Sequence, residues 1–164
     1  MPRIFDDSAA GNFAIRIRET CTSPRALVAI DGPGGAGKST FAALLASHLG
    51  DAMVVPTDDF AAWDDPFGWW RRMRDDVIEP IVEGRGARYR RRDFLSGRLL
   101  EWVTVPTAWV TIVEGVSSSR REWSDRLCFR IWVETPREER LRRGLERDGV
   151  DARALWELPF LLAA

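Results

Sequence analysis

Leu27-Val28-Ala29-Ile30-Asp31 runs straight into Gly32-Pro33-Gly34-Gly35-Ala36-Gly37-Lys38-Ser39-Thr40, so an unbroken apolar segment empties into a glycine-rich loop. Beyond it, Phe41, Leu44, Leu45 and His48-Leu49 recur at helical spacing until Gly50 supplies a stop. Strand, loop and helix in that order are the setting in which G-x-x-x-x-G-K-[ST] holds phosphate, and Gly32, Gly37, Lys38 and Ser39 meet the pattern. The glycines let backbone N–H groups converge on phosphate oxygens without Cβ clashes, Lys38 reaches the β- and γ-phosphates, and the Ser39 hydroxyl is a ligand for Mg2+. Gly34, Gly35, Ala36 and Thr40 complete the nucleotide-binding loop at the positive end of a helix dipole. Lys38 is the only lysine in the chain, every other basic side chain apart from His48 being arginine. A compact, flexible ammonium is kept where phosphate is to be held.

A chain of 164 residues, 45% hydrophobic and 30% charged, has room for one domain with a real core. With a net charge of −1, the whole molecule gives no sign of nucleic acid or an anionic membrane as partner. Cys21 and Cys128 lie far apart without metal-ligand spacing, and no signal peptide or apolar span of membrane length is present. The reading is a reduced cytoplasm, with both cysteines packed as small hydrophobes. The lone His48 is assigned to packing or solvent.

Residues before Pro24 are weakly patterned and read as an irregular or helical lead-in. Ala52-Met53-Val54-Val55 is a short apolar run expected for a strand buried on both faces, and it ends at Pro56-Thr57-Asp58-Asp59-Phe60. Ligands of open parallel α/β sheets bind at the C-terminal strand edge, so Asp58 and Asp59 are expected in the crevice that holds Lys38. The stretch 61–70 is dense in aromatics and acids and reads mainly as core. A helix is predicted from Trp70 to Glu79, with Pro80 kinking or ending it. Tyr89 to Phe94 and Leu99 to Val105 read as a β-hairpin around Ser96-Gly97-Arg98. Arg88, Arg90, Arg91 and Arg92 suit a phosphate or nucleic-acid patch, but are read as a charged edge strand that discourages aggregation. Strands follow over 109–114 and 127–133. The first ends in Glu114-Gly115, where a carboxylate that holds Mg2+ belongs. Pro136 opens a helix on which Arg140, Arg143 and Arg147 share one stripe, either a face laced with i,i+4 ion pairs or a lid over a phosphoryl group.

With these residues in hand, the chain resembles the uridine kinase family of P-loop nucleoside kinases, from about residue 26 to 157. The resemblance rests on Gly32 to Thr40, Thr57-Asp58-Asp59-Phe60, Tyr89 with Asp93-Phe94 before a hairpin, Val113-Glu114-Gly115, and Arg140-Leu141-x-Arg143 with Arg147-Asp148. It implies ATP and Mg2+ as cofactors and a nucleoside such as uridine as acceptor. Asp58 is then the base facing the acceptor hydroxyl, Tyr89 and Asp93 help form the acceptor pocket, and Arg140, Arg143 and Arg147 belong to the lid; Asp59, next to the base, is a further candidate substrate residue. Two departures stand out. An aromatic residue usual just after Asp-x-Phe is here Ala61, and the family's Tyr-Asp-Phe is split as Tyr89-Arg90-Arg91-Arg92-Asp93-Phe94.

The fold expected is a three-layer α/β P-loop kinase fold, a single domain over 1–164 with a mostly parallel sheet and an inserted β-hairpin. After Leu155-Trp156-Glu157 the chain ends in Leu158 to Ala164, where the family continues into a further helix and strand. The chain therefore reads as lacking its C-terminal strand, with self-association through an unpaired edge expected. Two rival functions remain. One is a nucleoside monophosphate kinase of cytidylate type, whose phosphate acceptor needs no carboxylate base. The other is a nucleotide-binding protein without turnover.

Overall fold

The computed structural model describes residues 6–63, 65 and 68–157. Asp64, Pro66, Phe67 and the Leu158 to Ala164 stretch, with the expectation attached to it, lie outside the described residues. The lead-in is a helix, α1 (Asp7–Thr20), whose first turn is capped by the Asp6 carboxylate accepting from Ala9 N at 2.9 Å. Ala10, Ala14 and Ile17 form its buried stripe. Next come β1 (Ala26–Asp31), α2 (Lys38–Leu49) and β2 (Ala52–Pro56). A tight turn over Thr57–Asp59 leads towards the short helices α3 (Trp70–Met73) and α4 (Glu79–Val82), then the hairpin of β3 (Ala87–Arg92) and β4 (Leu99–Val105). The chain continues through β5 (Val110–Glu114), β6 (Leu127–Trp132), α5 (Arg137–Asp148) and α6 (Arg153–Trp156).

Four strands form a parallel sheet in the order β2-β5-β1-β6. β1 and β5 are buried throughout, as their continuous apolar runs require. One face carries α1 and α2, with Phe13 edge-on to Phe41 at 5.7 Å. Arg18 Nη2 donates to the carbonyl of His48 at 2.7 Å, satisfying the C-terminal end of α2, and His48 Nε2 lies 2.8 Å from Asp7 Oδ1. His48 is thus a packing and surface-pairing residue. The other face is covered by α3, α4 and the hairpin, around Phe60, Trp69, Met73, Ile78, Tyr89 and Trp123.

Two expectations need correction. The helix does not end at Glu79 but runs past Pro80 to Val82, α3 and α4 being joined by a π-helical segment, Arg74–Ile78. Proline cannot donate to the carbonyl four residues back and its ring crowds that carbonyl, a mismatch that the wider i→i+5 turn accommodates. Nor are the cysteines separate hydrophobes, because Cys21 and Cys128 form a disulfide, with Cα atoms 5.7 Å apart. The bond sits at a bulge in β6. Leu27 pairs with Leu127 but Val28 pairs with Phe129, which makes Cys128 the extra residue. Leu127 packs against the hairpin-side core, whereas Cys128 and the next residue, Phe129, both pack on the α1 side. Cys21, which ends α1, waits there.

The arginine run of β3 is spent on the hairpin itself. Arg90 donates to the carbonyls of Leu99 and Leu100, each at 2.7 Å, Arg92 donates to Gly97 O, and Arg88 lies over the Trp102 ring.

Candidate active site

The loop leaves β1 through Gly32 at φ 140°, and a Cβ there would overlap the Val133 carbonyl oxygen. Glycine is what lets the loop pass this close to the end of β6. Lys38, the first residue of α2, is only 7% exposed, and its Nζ donates to Pro33 O at 2.8 Å. Burial pulls its pKa below the ordinary lysine range, against the nearby carboxylates of Asp58, Glu114 and Asp31. Ser39 Oγ donates to Glu114 Oε1 at 2.9 Å, joining the start of α2 to the end of β5. Burial raises the Glu114 pKa; the Ser39 hydrogen bond opposes the shift and the Asp58 charge adds to it.

These groups border a cavity of about 710 Å3 at the C-terminal edge of the sheet. Its floor is Gly34, Gly35, Gly37, Lys38, Ser39 and Thr40. One wall carries Asp58, Glu114 and Gly115 with apolar Phe94, Leu95 and Val116, and the roof carries Arg143, Gly144, Arg147, Asp148, Ala152 and Trp156. Lys38, Ser39, Asp58, Glu114, Arg143 and Arg147 therefore come together from four separate segments of sequence.

The buried Glu114 carboxylate, bonded to a hydroxyl and next to a second carboxylate, is a hard oxygen donor set that a divalent cation would relieve of like-charge repulsion. Among the described residues no three His, Cys, Asp or Glu side chains form a metal cage. Mg2+ in phosphate sites is held by one or two carboxylates together with phosphate oxygens, so Ser39 and Glu114 fit that use.

Other residues singled out in the sequence lie elsewhere. Asp59 accepts from Tyr89 Oη at 2.7 Å and from Arg91 Nε at 3.1 Å, tying the hairpin to the Thr57–Asp59 turn. Tyr89 is buried, stacks 4.5 Å from Phe60, and has its pKa raised by burial and by that bond to Asp59. Asp93 caps the hairpin turn, accepting from Ser96 N at 2.7 Å and Ser96 Oγ at 2.5 Å, which lowers its pKa. None of the three borders the cavity, because each is consumed by a local partner. Arg140 parts company with its stripe as well. It is 6% exposed and its Nε donates to Thr135 O at 3.0 Å, beneath the loop whose Ala36 carbonyl accepts from Thr135 Oγ1 at 2.9 Å. Gly32 and Ala36 likewise shape the loop from below.

The sequence reading passed over Trp156, which lies against the loop and the roof helix. A Cβ on Gly144 would overlap its indole, and Trp156 Nε1 donates to Asp148 Oδ2 at 2.9 Å while Arg147 lies over its ring. The available signal was the glycine: in a helix otherwise crowded with long charged side chains, Gly144 marks a close approach.

No protein-family model matches the sequence, and no curated protein matches it. Solved structures do. The chain is similar to a protein from Bacillus stearothermophilus described as a possible uridine kinase, at TM-score 0.68 and 17% identity, covering 93% of this chain and 94% of that one. It is also similar to a protein from Silicibacter sp. TM1040 described as a candidate fructose transport system kinase, at TM-score 0.72 and 22% identity, covering 93% and 90%. At these identities the likeness establishes the fold, which is that of P-loop kinases, with a mostly parallel sheet and a separate antiparallel hairpin.

Proposed function

We propose that this chain is an ATP-dependent phosphotransferase of the uridine kinase-like family that moves the γ-phosphoryl group of ATP to an alcohol, with a nucleoside such as uridine the first acceptor to test. The observation that carries the reading is the convergence of Lys38, Ser39, Glu114 and Asp58 on one cavity, with a carboxylate across from the phosphate loop. Ser39 and Glu114 are the residues that would hold Mg2+, which when bound neutralises charge on the β- and γ-phosphates. Asp58 orients the acceptor hydroxyl and takes its proton. The hydroxyl oxygen then bonds to the γ-phosphorus as the bond to the β–γ bridging oxygen breaks, and ADP leaves with that electron pair. Lys38, Arg143 and Arg147 stabilise the charge spread over the transferring group. ATP as donor favours a cytoplasmic setting, although disulfides are rare there, so the redox state of Cys21 and Cys128 in the isolated protein is worth measuring. Among the described residues no helix is long and apolar enough to cross a membrane.

The test is transfer from labelled ATP across nucleosides, nucleoside monophosphates, sugars and simple alcohols, with Asp58→Asn and Asp59→Asn alongside. A positioned base contributes about 10²- to 10⁴-fold, so Asp58→Asn is expected to lower turnover by that factor while ATP binding survives. Asp59→Asn is expected to act more mildly, through the hairpin it anchors. Transfer to monophosphates that survives Asp58→Asn would turn the reading to a cytidylate-type kinase. ATP binding with no transfer to any acceptor would leave a nucleotide-binding protein without turnover.

A further inference from the structure

Asp31 closes β1, and its side chain lies between two loops with the residue 7% exposed. Gly32 N and Ser117 N donate to Oδ1 at 2.7 and 2.8 Å, and Ser119 N and Ser119 Oγ donate to Oδ2 at 2.9 and 2.5 Å. A buried carboxylate is costly unless hydrogen-bonded, and this one accepts from three backbone N–H groups and a hydroxyl, bonds strengthened by its charge. Ser117 sits at φ 62°, in the left-handed region that serine rarely enters, and that kink brings the amides of 117 and 119 round to one carboxylate. Asp31 therefore joins the first amide of the phosphate loop to the turn that follows Glu114.

The same turn reaches the acceptor side. Gly115 N donates to Ile30 O at 3.1 Å, and a Cβ on Gly115 would overlap Thr57 Oγ1, so the turn lies directly on the residue that precedes Asp58. A continuous physical path runs from Gly32 through Asp31 to Gly115 and Thr57, with Glu114 and Asp58 at its two branches. Asp31 itself does not border the cavity.

We propose that Asp31 is a positioning residue: it sets the separation between the phosphate loop and the turn after β5, and so registers Ser39 and Lys38 against Glu114 and Asp58. Its consequence for turnover rests on the phosphotransferase reading, whereas its consequence for Mg2+-dependent nucleotide affinity does not. Asparagine fills the same space but exchanges one acceptor oxygen for an amide donor, leaving either the Gly32 and Ser117 pair or the Ser119 pair without an acceptor.

The experiment measures ATP affinity of the full chain by calorimetry, with Mg2+ and with EDTA, for wild type, Asp31→Asn and Ser119→Ala, together with melting temperature and turnover. Outer partners of a metal site are worth about 10- to 100-fold in metal affinity, so Asp31→Asn is expected to shrink the Mg2+-dependent gain by about 10-fold or more. Affinity in EDTA should change little, and kcat should fall with the acceptor KM nearly constant. A merely structural residue would lower the melting temperature and leave the ratio of the two affinities alone, which overturns the proposal. Should Asp31→Asn not fold, Ser119→Ala, which removes one bond and keeps the carboxylate, must still lose part of the gain; an unchanged ratio there overturns the proposal as well, as does a wild type with no Mg2+-dependent gain. Mg2+-dependent binding without transfer to any acceptor would sink the phosphotransferase reading, and Asp31 would still be judged on the ratio.

Discussion

The floor and the roof of the cavity both present cations to the same space, and they hold them in opposite ways. Lys38 on the floor is buried and its ammonium is bonded to a backbone carbonyl, within a loop fastened by buried bonds through Asp31 and Thr135. Arg143 and Arg147 on the roof are exposed and leashed to carboxylates of their own helix, Arg143 Nε to Glu139 at 2.7 Å and Arg147 Nε to Asp148 at 2.7 Å. Exposed ion pairs of this kind contribute little to stability, so the roof cations exchange partners cheaply. A fixed charge defines where phosphate sits; a loosely held one can follow charge as it develops.

The largest effect that would sharpen this contrast is on the floor. Lys38→Ala is expected to cost about 10²- to 10³-fold in kcat and to weaken ATP binding too, since a fixed donor serves ground and transition states alike. Turnover and ATP affinity near wild type would break the contrast at its root. On the roof, Arg143→Ala is expected to lower kcat by about 10²-fold with ATP affinity and melting temperature little changed. Its neighbour on the stripe should behave as part of the floor. A hydrogen bond from a charged, buried donor is worth about 1.5–3 kcal/mol, and Arg140→Ala is expected to lower the melting temperature by several degrees while kcat in the folded protein stays close to wild type. Matching profiles for Arg140→Ala and Arg143→Ala would erase the distinction.

The smallest effect is electrostatic. Bonds from Arg142 and Arg143 hold the Glu139 carboxyl down to about 2, against an ordinary 4.5. Because the folded value lies below the unfolded one, the pairing contributes fully above pH 4.5 and is lost as pH falls from there towards 2. An NMR titration of Glu139 at low salt should give a midpoint near the lower value, and added salt should move it back up, as screening of an exposed pair requires. A midpoint that ignores salt would mean that the roof is held as firmly as the floor.

How far each region could be read in advance follows from the same contrast. The two central strands, β1 and β5, were legible because burial on both faces writes them as continuous apolar runs, and the phosphate loop because its glycines and single lysine leave few alternatives. Arg140, Arg143 and Arg147 share a helical stripe, yet the first turns under the loop because it lies within the first turn of α5, beside Thr135. Spacing cannot show that. Tyr89 and Asp93 carried a resemblance, but whether a polar side chain meets a ligand or a neighbour is decided by tertiary partners such as Asp59 and Ser96. Asp31 is in sequence only the last residue before the glycine-rich loop, and the bonds its side chain makes depend on a turn 86 residues away. The pairing of Cys21 with Cys128 was hidden because it depends on how the end of α1 packs against β6, which composition and spacing do not show.

The disulfide has a topological consequence. The Cys21–Cys128 bond, between residues 107 apart, turns the chain into a closed covalent ring that carries the phosphate loop, both acidic wall residues and the hairpin. Outside the ring hang α1 on one side and the whole roof on the other. A protease that nicks the exposed hairpin tip near Leu95, 75% accessible, would therefore leave a molecule that migrates as one piece until it is reduced. A cut between Trp132 and Pro136 would instead free the roof at once, so a non-reducing gel distinguishes a nick within the ring from a cut that releases the roof.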